Sequence, residues 1–198
     1  PHINTQAIVT HFTKPIRQID TNSRYLVLFN GGTIGNYEAA PATPVAIELM
    51  AQRINALTQN YASGSLMLIG LEATQDPDIL YGDYDHPAHA EYEINLMHGI
   101  KRDIIPDQAG FDPYAWKYTM KWWPKSYQFC HVAEATKAQS FTLWGHRFEF
   151  ETGTQFVVDN SFKFPVLAMQ KAAKTAGVQY IKALPDDDGR MVSHLLEI

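Results

Sequence analysis

A single cysteine, Cys130, stands in 198 residues. One thiol excludes an intramolecular disulfide framework and permits a reducing cytosol, the compartment expected for this chain. No apolar run approaches the roughly 20 residues that cross a bilayer, so no membrane partner is expected. No lysine or arginine cluster offsets the net charge of -5, which argues against non-specific nucleic-acid binding. Neither a signal peptide nor an internal repeat is legible. The chain begins at Pro1 rather than at methionine, as a trimmed product or an excised piece would.

What is present is ordinary globular material, 45% hydrophobic and 19% charged, enough for one domain with an insertion or for two small ones. The chain is organised around Tyr25–Asn36. Tyr25–Phe29 is a continuous apolar run that reads as a strand buried on both faces. It enters a turn dense in glycine and asparagine, after which Thr43-Pro44 reads as the start of a helix with Val45, Leu49, Ile54 and Leu57 on its apolar face. Ser65–Leu71 is a second apolar strand, which completes a βαβ unit. Gln6–Phe12 is a further short β-type run.

From Thr74 the character changes. Asp76-Pro77-Asp78 opens a helical turn, Gly82–His89 reads as a polar loop, and Glu91–Arg102 has helical spacing. Phe111–Trp123 and Lys125–Ala135 are rich in aromatics. Gly145-His146 is a hairpin signal between alternating runs, with Phe156–Phe164 expected to continue the same sheet. Pro165–Ala176 reads as a helix ending at a C′ glycine, Gly177, followed by two strands around a turn at Pro185–Gly189. The expected fold class is α/β: a partial parallel sheet closed by an antiparallel pair, with an inserted antiparallel lobe.

Four groupings could carry chemistry. The Gly31–Gly35 turn could cradle an anion on backbone N–H groups or be a plain tight turn; it matches neither a P-loop nor the dinucleotide fingerprint. Asp83, Asp85, His86 and His89 have metal-like spacing, but Pro87 interrupts the pair of histidines and a solvated loop is the expectation, so no metal site is assigned. Asp159 and Ser161 fall on one side of a strand, where they suit an ammonium or imidazole, or else mark a turn at a strand end. Cys130 is expected to be a buried structural thiol, and Trp116, Trp122 and Trp123 to be core.

Taken together, these pieces resemble a known family. Leu28–Asn36 resembles the segment ending the fourth sheet strand of the histidine-specific S-adenosylmethionine-dependent methyltransferases, the family of the ergothioneine-pathway enzyme that makes trimethylhistidine. Further resemblances follow in order: Leu68–Glu72 with Asp76-Pro77, Asp83–His86, Tyr92–Leu96, Phe111–Pro113 and Val158–Phe164. Thr-Ile-Gly-Asn at 33–36 and Ser-x-Lys-Phe at 161–164 are the most specific.

The resemblance implies a Rossmann-like methyltransferase portion over 1–81 and 165–198 and an inserted α+β substrate-binding lobe over 82–164. The cofactor implied is S-adenosylmethionine, and the reaction N-methylation of the amine of histidine or a related amino acid. Asn36 would hold the amino acid's α-amino and carboxylate region, Tyr84 would contact its carboxylate, and Asp159 and Ser161 would face its ring. His11 and Phe12 would lie near the cofactor's adenine, with Gly32 and Thr33 lining its pocket. Asp159 stands where the family has glutamate, and His11 where an acid is usual. The family's cofactor glycine motif and ribose-binding acid lie upstream of everything here, so the chain resembles a carboxyl-terminal part, expected to be inactive alone. Ala7–Phe12 would then lack its sheet neighbours and expose an apolar edge prone to self-association. The rival expectation is a non-catalytic module that binds a ligand or partner.

Overall fold

A computed structural model of the chain describes residues 5–12, 14–20, 22–36, 46–107 and 110–198. They belong to two compact units. The first comprises Pro1–Gly35, Val45–Thr74 and Phe164–Ile198, the second Asn36–Pro44 and Gln75–Lys163.

The first unit is a four-stranded mixed sheet, β1 (Leu26–Phe29), β2 (Leu66–Glu72), β9 (Met191–Glu197) and β8 (Gln179–Pro185) in that spatial order. β1 and β2 run parallel, joined through helix α1 (Ala46–Thr58), while β9 lies antiparallel to both β2 and β8. The helix-start reading at Thr43-Pro44 and Val45 lies outside the described residues. Met50, Ala51, Ile54 and Leu57 form the buried stripe of α1 at helical spacing. That helix packs on α4 (Val166–Thr175), whose buried face is Ala168, Met169, Ala172 and Ala173. Small residues on α4 allow a close helix approach, and Gly177 ends the helix at φ 76°.

Two expectations for this unit are corrected. β1 is not buried on both faces: Val27 and Phe29 are half-buried, whereas Leu26 and Leu28 are 63% and 60% exposed. Strand alternation sends Leu26 and Leu28 to the other side of the sheet from the buried Met67, Ile69 and Leu196. An apolar run reports that both faces are greasy, not that both are covered. Gln6–Phe12 forms no strand; residues 5–7 are exposed, and β-propensity without a ladder partner does not hold extended chain. The apolar edge strand among the described residues is β1.

The second unit begins with two helices. α2 (Pro77–Tyr84) is capped by Asp76, whose carboxylate accepts from the Asp78 N–H at 2.9 Å, with Pro77 at the first helical position. Asp76→Ala should cost about 1 kcal/mol, measured as a lower urea midpoint; an unchanged midpoint would show that the cap is immaterial. α3 (Pro87–Gly99) starts earlier than helical spacing alone suggests. His86 is its N-cap, with Nδ1 accepting from the Ala88 N–H at 3.1 Å, and a π-helical turn over Ile100–Ile104 extends it. Gly82–His89 is therefore the end of one helix and the start of the next rather than a loop. Pro87 begins a helix where it was expected to break one.

Beneath the helices lies a three-stranded antiparallel sheet in the order β3 (Trp116–Trp123), β4 (Gln128–Ala135) and β7 (Gln155–Phe162). The hairpin β5 (Gln139–Leu143) and β6 (His146–Phe150) stands as its own two-stranded sheet, not continued by β7. Trp144 and Gly145, at φ 48° and 80°, make its two-residue turn. Met97, Ile105, Phe111, Trp116, Ala133 and Ala135 form the core, against which Phe141 and Phe150 pack. Cys130 is fully buried, and burial pushes its thiol up to about 12, as suits a structural thiol. Trp116 is buried, and Trp122 and Trp123 are half-buried.

Candidate functional site

In the first unit the chain leaves the carboxyl end of β1 through Gly31 and Gly32, at φ 82° and 75°. Such angles strain any residue with a Cβ. The Gly32 N–H donates to the Gly70 carbonyl of β2 at 3.2 Å, and Gly35 N–H to the Gly32 carbonyl at 2.8 Å. The buried Arg53 of α1 donates through Nη1 to the Ile34 carbonyl at 2.8 Å. A Cβ on Gly70 would lie 3.2 Å from Gly31 N and 3.3 Å from Asn30 Cα, so β2 and the turn touch as bare backbone. The Phe12 ring lies 5.3 Å from Phe29 at this end of β1, and His11 stacks on Phe12 at 5.5 Å. Phe12 and Gly32 are half-buried, His11 and Thr33 exposed. Open parallel sheets bind ligands beyond the carboxyl ends of their strands. The turn is thus tied on its inner side and open on its outer side, where a Cβ on Gly31 or Gly32 would meet nothing within 4 Å.

In the second unit Ser161 Oγ donates to Asn36 Oδ1 at 2.8 Å, across 125 residues of sequence. Asp159, two residues before Ser161 on β7, is half-buried and accepts from the Asn160 N–H at 2.7 Å through Oδ1. Its register partner on β4 is His131, and that of Ser161 is Phe129. Tyr84, in the last turn of α2, stacks on Phe129 with centroids 4.9 Å apart and meets His131 edge-on at 4.8 Å. The buried Lys163 donates through Nζ to the Tyr84 hydroxyl at 2.8 Å.

Around His131 the structure gathers side chains of which only His89 stands out in the sequence. The Tyr118 hydroxyl shares a hydrogen bond with His131 Nδ1 at 2.7 Å, and His89 Nε2 lies 3.2 Å from the same nitrogen. Glu93 Oε1 is 3.4 Å from His89 Nε2 and 3.9 Å from His131 Nδ1. Glu93 is only 6% exposed and His131 3%. Burial, reinforced by the Asp159 charge, pushes the Glu93 carboxyl up to about 7. Burial, then His89 and the Lys163 cation, pushes the His131 imidazole down to about 4. His89 is also lowered by burial, with Asp159 opposing, and Tyr118 is raised by burial and by Glu93. Each shift favours the group's neutral form, so burial works against an ion pair between the histidines and Glu93.

Of the residues considered for metal binding, only His89 enters this cluster; His86 is occupied as a helix cap. The legible signal is the i, i+4 spacing of His89 and Glu93, which becomes visible only once α3 is known to begin at Pro87.

Residues 1–198 match the family described as "Histidine-specific methyltransferase, SAM-dependent". A histidine N-alpha-methyltransferase of Mycobacterium tuberculosis (strain CDC 1551 / Oshkosh) is 24% identical over 191 residues, 94% of this chain and 56% of that protein. One of the same name from Mycolicibacterium smegmatis is 28% identical over 124 residues, 62% of this chain and 35% of that protein. The chain thus spans little more than half the length of the first and about a third of the second. Solved structures resemble it loosely: an S-adenosylmethionine-dependent methyltransferase from Clostridium acetobutylicum superposes with a TM-score of 0.44 at 5% identity, over 96% of this chain and 63% of that one.

Proposed function

Since the chain belongs to the family of histidine-specific, SAM-dependent methyltransferases, we propose that it holds the amino-acid substrate of an N-methyltransferase acting on the amine of histidine or a close relative. In this reading the second unit is the inserted substrate lobe, and the chain corresponds to the carboxyl-terminal part of the intact enzyme. The observation that supports it is the Ser161–Asn36 hydrogen bond. Two residues that the family resemblance gives to the amino acid, 125 positions apart in sequence, touch.

Asn36, with an amide that both donates and accepts, suits an α-amino and carboxylate pair. Tyr84 offers a hydroxyl to the carboxylate, held in place by Lys163 and Phe129. Asp159 and Ser161 present an anion and a hydroxyl to the side-chain ring. Because Asp159 is one methylene shorter than the family's glutamate, an indole-bearing amino acid is the competing substrate.

His11, Phe12, Gly32 and Thr33 fit the aromatic and backbone-lined part of a nucleoside site, and none of the four is the carboxylate that a ribose diol calls for. S-adenosylmethionine, when bound, supplies an electrophilic methyl group. The chain's own contribution is to orient a neutral amine and keep water away from it.

Calorimetric titration tests the reading. L-histidine or a tryptophan derivative should bind the 198-residue chain, and Asp159→Asn or Ser161→Ala should weaken that binding at least tenfold, the loss of one charge-assisted hydrogen bond. S-adenosylhomocysteine should show no detectable binding, for want of a ribose-binding acid; micromolar binding would show that the chain completes the cofactor site itself. Failure of every amino acid to bind would remove the substrate assignment.

A further inference from the structure

We propose that His89, Glu93 and His131 form a site for one divalent transition-metal ion of the Zn²⁺ class. This does not rest on the methyltransferase reading, because the site is built by α3 and β4 within the second unit.

His89 and Glu93 are four residues apart on α3, so both point from one face of the helix. His131 rises from the central strand β4 of the sheet on which α3 packs. Three different ligand atoms converge: His89 Nε2, His131 Nδ1 and Glu93 Oε1, separated by 3.2, 3.4 and 3.9 Å. An ion equidistant from all three would sit about 2 Å from each, the ordinary length of a Zn–N or Zn–O bond. Two imidazoles and one carboxylate are a donor set that suits zinc and leaves a further coordination position open. Glu93 and His131 are almost fully buried, while His89 is partly exposed and gives the ion a way in. Asp159, opposite His131 in the sheet register, adds negative charge alongside.

Two neighbours bear on occupancy. The Tyr118 hydroxyl holds the same nitrogen of His131 that the ion would use, at 2.7 Å, so the two compete. Lys163, the cation nearby, is engaged by the Tyr84 hydroxyl at 2.8 Å.

The test is titration of the metal-free 198-residue protein with Co²⁺, whose visible d–d absorption reports its coordination number. One equivalent should give the intense bands of a four- or five-coordinate ion, and Zn²⁺ should displace it. Glu93→Gln and His131→Gln should each weaken binding by at least tenfold. His146→Gln, on the exposed β6 strand, should leave it unchanged, and Tyr118→Phe should tighten it by removing the hydroxyl that holds His131 Nδ1. Should either ligand variant fail to fold, amide exchange of the wild type decides: Zn²⁺ should slow exchange across 87–99 and 128–135. Absent bands in the folded wild type, bands that persist in both ligand variants, or exchange indifferent to Zn²⁺ would each overturn the proposal.

Discussion

Replacing Phe129 by alanine is expected to cost the second unit about 3–5 kcal/mol, the range for emptying a fully buried aromatic position. Phe129 is completely enclosed on the central strand β4. Its ring stacks on Tyr84, meets Tyr81 edge-on at 5.4 Å and meets His131 edge-on at 5.5 Å. The cavity would therefore open beneath both tyrosines of α2. Tyr81 accepts the Trp122 backbone N–H at 3.1 Å through its hydroxyl, so its displacement would loosen the seam between α2 and β3. Phe129→Leu, which keeps most of the volume, should lose less than about half as much. Urea unfolding measures both. A loss under about 1 kcal/mol for the alanine variant would mean that the site collapses freely around the gap, contrary to the close packing seen around this ring.

The second large effect is acid loss of stability at His194. This residue of β9 is fully buried, and its Nδ1 shares a hydrogen bond with the Tyr180 hydroxyl at 2.7 Å. Its Nε2 has no hydrogen-bond partner among the described residues. Burial pushes the imidazole down to about 4 in the folded state, against its ordinary value of 6.5. With the folded value the lower one, the unfolded chain takes up the proton first. The contribution to stability is complete above pH 6.5, declines as the pH falls toward 4, and then levels off. The full span is worth up to about 3 kcal/mol. His194→Leu should flatten this slope for the first unit, read as amide protection of 191–197 at pH 7 and at pH 4.5. Parallel slopes in wild type and variant would remove His194 as the cause. His131, lowered in the same direction, acts within the second unit.

The βαβ unit and the closing β8–β9 pair are legible in the sequence because their signals are local: apolar runs, a helical stripe, and glycines at positions of positive φ. The insert is less so. Alternation marks β5 and β6 and the turn at Gly145, but it carries no information on which strands pair, and β7 joins β4 rather than the hairpin. β4 is buried at Gln128 through Ala133 without a break, so its polar members, Gln128 and His131, hide in a stretch that reads only as aromatic-rich. Pro87 illustrates an ambiguity of proline, which ends helices from within and begins them from the first position. At the candidate site, Asn36 and Ser161 can be linked in advance only by the family resemblance. The resemblance at Tyr92–Leu96 spans Glu93 without giving it a role, and gives none to Tyr118, since their roles arise from how α3 and β3 meet His131.

The division into two units also has a spectroscopic consequence. All four tryptophans, Trp116, Trp122, Trp123 and Trp144, belong to the second unit. Intrinsic indole fluorescence therefore watches one unit while the other stays dark. A melt followed at tryptophan wavelengths would report the Phe129 cavity and miss the His194 titration entirely. Far-ultraviolet dichroism sees both units, so any lag between the two signals measures how far the units unfold independently.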